Sequence, residues 1–146
     1  MRLRTTAMWL TFPPELRDLV APLAAVPAAE GQPPDADQPL HDGLHAIQHL
    51  LNSTIPLLVM CDQRDVSGYT HTQHPDLGQQ PALFLYDACE GGIGLADTAY
   101  QRAESLLALA YDTVTRCGCQ AGCPSCIQMG SCRLRNEQLS KAAAMA

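Results

Sequence analysis

The sequence predicts an α+β fold: a small, mainly antiparallel sheet packed with helices, followed by a C-terminal cysteine knuckle. Three observations predict it. Two strand-like runs, "DVSGYTHTQ" and "PALFLYD", flank the turn-rich "HPDLGQQ", the pattern of a β-hairpin. An apolar stripe of Leu95, Ala99, Ala103, Leu106, Ala110, Tyr111 and Val114 recurs at three- and four-residue steps, marking a helix over 94–116. Five of the seven cysteines crowd into residues 117–132.

Taken in order, "TTAMWLTF" combines β-branched and aromatic residues and stops at Pro13-Pro14, which predicts a strand over 5–12. Pro14 suits the first turn of a helix, and Leu16, Leu19, Val20 and Leu23 give a helix over 14–25 its apolar face. Residues 27–39, "PAAEGQPPDADQP", have nothing to bury and are expected to be an exposed loop. "LHDGLHAIQHLLNS" places Leu44, His45, Ile47, His49 and Leu51 at helical spacing, predicting a helix over 41–53. In "TIPLLVMC" Pro56 opens either a second buried helix or a strand, and periodicity does not choose between them. The hairpin strands are expected at 66–73 and 82–87. "CEGGIG" then leads into the long helix, which Gly118 stops.

Composition narrows the chemistry. A chain of 146 residues buries a real core without disulfide staples. Its 47% hydrophobic content is ordinary, and no apolar run is long enough to cross a membrane. The N-terminal apolar stretch is short, interrupted and without a small-residue cleavage site, so it does not resemble a signal peptide. A cytoplasmic, reducing location is therefore expected, where clustered thiols bind metal or do redox work. The net charge of −6 argues against bulk electrostatic binding of nucleic acid. Lys141 is the only lysine, which excludes a G-x-x-x-x-G-K-[ST] phosphate loop from this sequence.

The cysteines are spaced C-x-C-x₃-C-x₂-C-x₅-C, from Cys117 through Cys119, Cys123 and Cys126 to Cys132. Closely spaced thiolates on a turn supply the soft tetrahedral donors that Zn²⁺ takes, with little chain entropy to lose. Cys117, Cys119, Cys123 and Cys126 are the preferred ligands, with Cys132 the alternative to Cys117. Such a site is full, leaving no water position for hydrolysis. A disulfide framework and a redox pair at Cys123 and Cys126 are the competing readings; the second lacks a surrounding βαβ pattern. Cys61 ends an apolar run as a buried thiol, and Cys89 carries no assignment.

Other constellations are weaker. His45 and His49 share a helix face, but Ala46 stands where a zincin needs Glu and no third ligand is evident, so packed, hydrogen-bonding histidines are expected. His41, His71 and His74 occur singly. Asp62 and Asp65 are expected to cap the following element. Gly92-x-Gly94 lacks the third glycine of a dinucleotide fingerprint, and Asp87 and Glu90 repel phosphate, so a tight strand-to-helix turn is expected. Arg116, Arg133, Arg135 and Lys141 against Glu137 give the knuckle a weakly positive field once four thiolates and Zn²⁺ add −2, enough for a few phosphate contacts.

The succession "LHAIQHL", "CDQRD", "HPDLG", "LFLYDACEGGIGLAD" and "CGCQAGCPSCIQMGSC" resembles the C-terminal zinc-binding domain of mitomycin-repair-factor-A-type helicases, superfamily 2 DNA helicases related to the Hrq group of RecQ-like enzymes. The resemblance runs from about residue 5 to 141. Gln48 and the Cys89-Glu90 pair depart from the family's usual glutamate and aromatic-proline pair. What the resemblance implies is a single helicase-associated domain over 1–146, with its knuckle at 117–132. It would be a non-catalytic accessory of a DNA-repair helicase, a piece or partner of the motor acting in cis or in trans and guiding DNA. The sequence holds no motor motifs. A free-standing zinc-knuckle interaction module and a thiol–disulfide enzyme are the alternatives.

Overall fold

The computed structural model describes residues 2–23 and 35–146. Strands β1 (Ala7–Thr11), β2 (Val66–His74) and β3 (Gln80–Asp87) form one antiparallel sheet in the order β1-β3-β2. The hairpin forms as expected. Its connection is a single turn at Pro75–Leu77, followed by Gly78 and Gln79 in left-handed backbone. Period-two alternation sorts the sheet's two faces. Met8 opposite Leu85 and Leu10 opposite Leu83 face inward. Trp9, Phe84 and Tyr69 form a cross-strand row on the outer face, with the Tyr69 and Phe84 rings stacked at 4.6 Å.

Helix α1 covers Leu16–Val20 and runs into a short 3₁₀ turn, Ala21–Leu23. Its Val20 is buried, whereas Leu19, expected on the apolar face, is exposed. The rest of the expected 14–25 helix, and most of the expected exposed loop, lie outside the described residues. Helix α2 (Gln38–Leu58) exceeds the expected 41–53 at both ends and absorbs the end of the loop. Pro39 costs nothing in the first turn, where its missing N–H has no partner to lose. Pro56 falls in the last turn, so it forfeits one backbone bond while Val59 N–H still reaches Ile55 O at 2.9 Å. The undecided segment is therefore the end of one helix.

The long helix expected over 94–116 is two, α3 (Leu95–Gln101) and α4 (Ala103–Arg116). Arg102 leaves the helical region between them and donates its guanidinium to Leu58 O at 2.6 Å, satisfying a carbonyl at the end of α2. The apolar stripe survives the break: Leu95, Ala99, Leu106, Ala110 and Val114 are buried, while Tyr111 points to solvent. A short C-terminal helix, α5 (Lys141–Met145), is capped by the Ser140 hydroxyl, which accepts from Ala143 N–H at 3.1 Å.

One core cluster joins the sheet to α2, α3 and α4 through Leu51, Ile55, Leu83, Leu85, Leu95, Leu106 and Val114, and extends to Cys126 and Ile127. Each such large side chain contributes about 1.5–3 kcal/mol by leaving water. The core thus runs directly under the cysteine knuckle. Among the described residues no helix is long and apolar enough to cross a membrane.

Candidate metal centre

The knuckle begins where α4 ends, with Cys117 extended at the helix C-cap. Gly122 has a φ of 120°, and a Cβ there would lie 2.6 Å from the Ile127 side chain. Only glycine lets the chain turn this closely over its buried neighbour. Cys123 and Cys126 are drawn together by Cys126 N–H donating to Cys123 O at 3.0 Å, and Cys123 N–H reaches Cys126 Sγ at 3.4 Å.

Four sulfurs converge as a result. Cys117 Sγ lies 3.6 Å from Cys119 Sγ and 3.4 Å from Cys123 Sγ, and Cys126 Sγ lies 3.5 Å from Cys119 Sγ and 3.9 Å from Cys123 Sγ. All four fall within 4.8 Å of one another. A tetrahedral Zn²⁺ with Zn–S near 2.3 Å spaces its sulfurs by about 3.8 Å, so number, softness and spacing of the donors fit zinc.

The four sulfurs are not alike in charge. Burial pushes the Cys119 thiol up, but hydrogen bonds from Cys126, Cys117, Lys141 and Cys123 outweigh it and bring the group down to about 6. Cys126 is pushed up to about 12, chiefly by burial. Protein groups alone thus favour a thiolate at Cys119 and a thiol at Cys126; a divalent cation deprotonates coordinating thiols outright.

Lys141 corrects one expectation. Instead of facing a phosphate backbone, it is 6% exposed, and its ammonium donates to Cys117 O at 2.6 Å, Cys119 O at 2.7 Å and Cys119 Sγ at 3.3 Å. The reason is the docking of α5: Ala143 packs against Gly43 of α2, which turns the lysine stem toward the knuckle. Burial alone would lower the ammonium pKa, but the sulfur contacts raise it, so Lys141 stays charged beside the cluster. Arg116, Arg133 and Arg135 remain exposed, Arg116 pairing with Asp112 at 2.6 Å.

Cys132 stands apart from the four-sulfur group, its Sγ 3.6 Å from His45 Nε2. His45 and His49 are buried on α2 and hydrogen-bonded, as expected. Their Nδ1 atoms contact Gln138 O at 3.0 Å and Ile127 O at 2.7 Å, and burial holds both imidazoles below the usual histidine range. Sequence spacing could not pair them with Cys132, which is far away along the chain. Asp62 and Asp65 form a capping box, Asp62 accepting from Arg64 N–H at 2.9 Å and Asp65 from Asp62 N–H at 2.8 Å. Cys61 is half-buried rather than fully buried, with its thiol pushed up by burial and then by Asp65, Asp62 and Asp87.

The glycine-rich turn after β3 already holds an anion of its own. The fully buried Asp87 carboxylate accepts from the N–H groups of Ile93, Gly94, Leu95 and Ala96 at 2.5–3.2 Å. These are the amides a phosphate would need, so the tight-turn reading holds.

The chain is similar to known proteins. The family model described as the MrfA Zn-binding domain matches residues 47–127, a span that includes Cys117, Cys119, Cys123 and Cys126 and stops short of Cys132. An uncharacterized protein of Methanocaldococcus jannaschii is 37% identical over 100 residues, 67% of this chain and 89% of that one. The uncharacterized ATP-dependent helicase YprA of Bacillus subtilis is 36% identical over 91 residues, 62% of this chain but only 12% of the helicase. In three dimensions the chain is similar to part of the DUF1998 helicase MrfA bound to DNA and AMPPNP. There the TM-score is 0.63 at 26% identity, covering 95% of this chain and 14% of that one. With more than half its length inside the family model and its cysteines gathered as zinc requires, the chain belongs to the MrfA Zn-binding domain family, the zinc-binding domain of MrfA-type helicases.

Proposed function

We propose that this chain is a single non-catalytic accessory domain of a DNA-repair helicase, in which Cys117, Cys119, Cys123 and Cys126 hold one structural Zn²⁺. The observation that carries the reading is the four-sulfur group at zinc-like spacing, built on the buried Cys126 and Ile127 in the loop that follows α4. When bound, zinc supplies a fixed tetrahedral cross-link and no exchangeable position. The residues around it do the rest. Cys126 and Ile127 key the knuckle into the core, and Lys141 offsets part of the −2 charge that four thiolates leave on Zn²⁺.

The domain serves a motor, in cis or in trans, in the cytoplasm, where thiols stay reduced. Support comes from the helicase relatives, of which the chain spans a small fraction, and from the absence of a phosphate loop in its own sequence. Guidance of DNA falls to the exposed Arg116, Arg133 and Arg135 beside the knuckle, since Lys141 is already engaged.

The test has two arms. Metal analysis of the purified chain should find about one tightly held zinc per chain that the Cys123→Ser/Cys126→Ser variant loses. Full zinc retention in that variant would end the assignment. Added to a motor lacking this domain, the chain should raise DNA unwinding. Replacing the three arginines by alanine should weaken DNA binding and lower the salt slope by about 2–3. An unchanged slope removes the guiding role and leaves the motor-supporting one.

A further inference from the structure

His45 and His49 lie one turn apart on α2, their rings in edge contact at 4.4 Å. Both contact a backbone carbonyl through Nδ1, His45 to Gln138 at 3.0 Å and His49 to Ile127 at 2.7 Å. A carbonyl only accepts, so Nδ1 carries the proton in each ring and Nε2 carries the lone pair. That is how a metal-binding imidazole is held, its tautomer and ring plane fixed by an acceptor behind it.

Cys132 supplies the third donor. Its Sγ is 3.6 Å from His45 Nε2. A tetrahedral zinc with Zn–N near 2.05 Å and Zn–S near 2.3 Å sets nitrogen and sulfur about 3.6 Å apart. Donor atoms of His45, His49 and Cys132 all lie within 4.8 Å of one another, and none of the three residues belongs to the four-cysteine group.

A second observation points to a ligand. The same three residues line a cavity of about 530 Å³ that also receives Asn52, one turn further along α2. Asn52 is 2% exposed, and its Oδ1 has no hydrogen-bond partner among the described residues. A buried acceptor of this kind calls for a donor, and a metal-bound water is one.

We propose that His45, His49 and Cys132 form a second metal site, separate from the knuckle, that binds Zn²⁺ with its fourth position open to this cavity. Two imidazoles and one thiolate are borderline-to-soft donors that select zinc over magnesium or calcium. Binding converts the Cys132 thiol to thiolate and releases its proton to solvent, leaving a centre of net charge +1. The fourth ligand is a water that donates to Asn52 Oδ1. Three protein ligands with one exchangeable position mark a site that takes an oxygen ligand, in contrast to the closed knuckle. The proposal does not depend on the helicase reading.

Titration of the metal-free, reduced full chain with zinc against a competing indicator, read also by native mass spectrometry, tests it. The wild type should bind about two zinc ions, Cys132→Ser and His45→Ala about one, and Cys123→Ser/Cys126→Ser should keep the site that Cys132→Ser loses. One zinc in the wild type throughout the titration, or two in Cys132→Ser, overturns the proposal. Cobalt titration of the wild type requires no variant. It should give two binding phases, one with the weaker sulfur-to-metal charge-transfer band of a single thiolate, and a single four-thiolate phase overturns the site.

Discussion

Asp87 is the residue on which the turn after β3 depends. Its carboxylate is fully buried and accepts from four backbone amides at and just before the start of α3. Asp87→Asn keeps the shape but turns one acceptor into a donor facing donors. It should cost on the order of 3 kcal/mol in urea unfolding, while Glu90→Gln, exposed nearby, should stay within about 0.5 kcal/mol. A loss for Asp87→Asn no larger than that for Glu90→Gln would mean that water satisfies these amides. Lys141 makes a comparable case at the knuckle. Lys141→Met retains the stem and deletes the ammonium, so chelator competition should find zinc affinity about 10–100-fold lower with the helical signal unchanged. Unchanged affinity would reduce Lys141 to packing. Neither role can be inferred from sequence alone. An aspartate before a glycine run reads as phosphate-repelling, and a lone lysine in a basic segment reads as a phosphate contact, because the backbone groups and the sulfur that engage them are positioned only by the fold.

Among the elements, α2 is the one around which the others are arranged. It packs on the sheet, on α4 and on α5, and Arg102 closes its C-terminal end. It covers Gly68 of β2, where a Cβ would lie 2.9 Å from Gln48 Cγ of α2 and 2.6 Å from Phe84 O of β3. Gly68→Ala must displace the Phe84 carbonyl of β3 or the Gly68 backbone itself, and shift the Gln48 side chain of α2, which should cost about 2 kcal/mol and lower Tm by roughly 5 °C. Gly130→Ala, with nothing within 4 Å of its Cβ, is the control and should leave Tm within about 1 °C. Equal effects at the two glycines would refute the close approach. The strands and the α4 stripe were legible because alternation and three- to four-residue periodicity are local signals. The break at Arg102 was not, since its cause is the Leu58 carbonyl, supplied by another helix. Tyr111 fitted the stripe by spacing but sits at its edge, where its side chain reaches solvent.

At the scale of the whole molecule, the core and the knuckle are continuous through Cys126 and Ile127. Metal removal should therefore loosen one end of the domain. Hydrogen exchange after chelation should accelerate in the last turn of α4, in residues 117–132 and in α5, while β3, with Leu83 and Leu85 fully buried, keeps its protection. Uniform loss of protection would instead mean that metal and sheet fold as one unit. The sequence by itself determined the α+β class, the hairpin, the stop of the long helix at the knuckle and the gathering of Cys117, Cys119, Cys123 and Cys126. Each of these is written within a few to about twenty residues, where periodicity, turn chemistry and ligand spacing operate. Only the tertiary structure set the Cys132 sulfur beside His45 and turned Lys141 inward. It alone also decided that Asp87 fills its own anion site. Those contacts join groups brought together by packing, or backbone amides oriented by a turn, and a linear pattern carries no record of which buried acceptor a distant donor will meet.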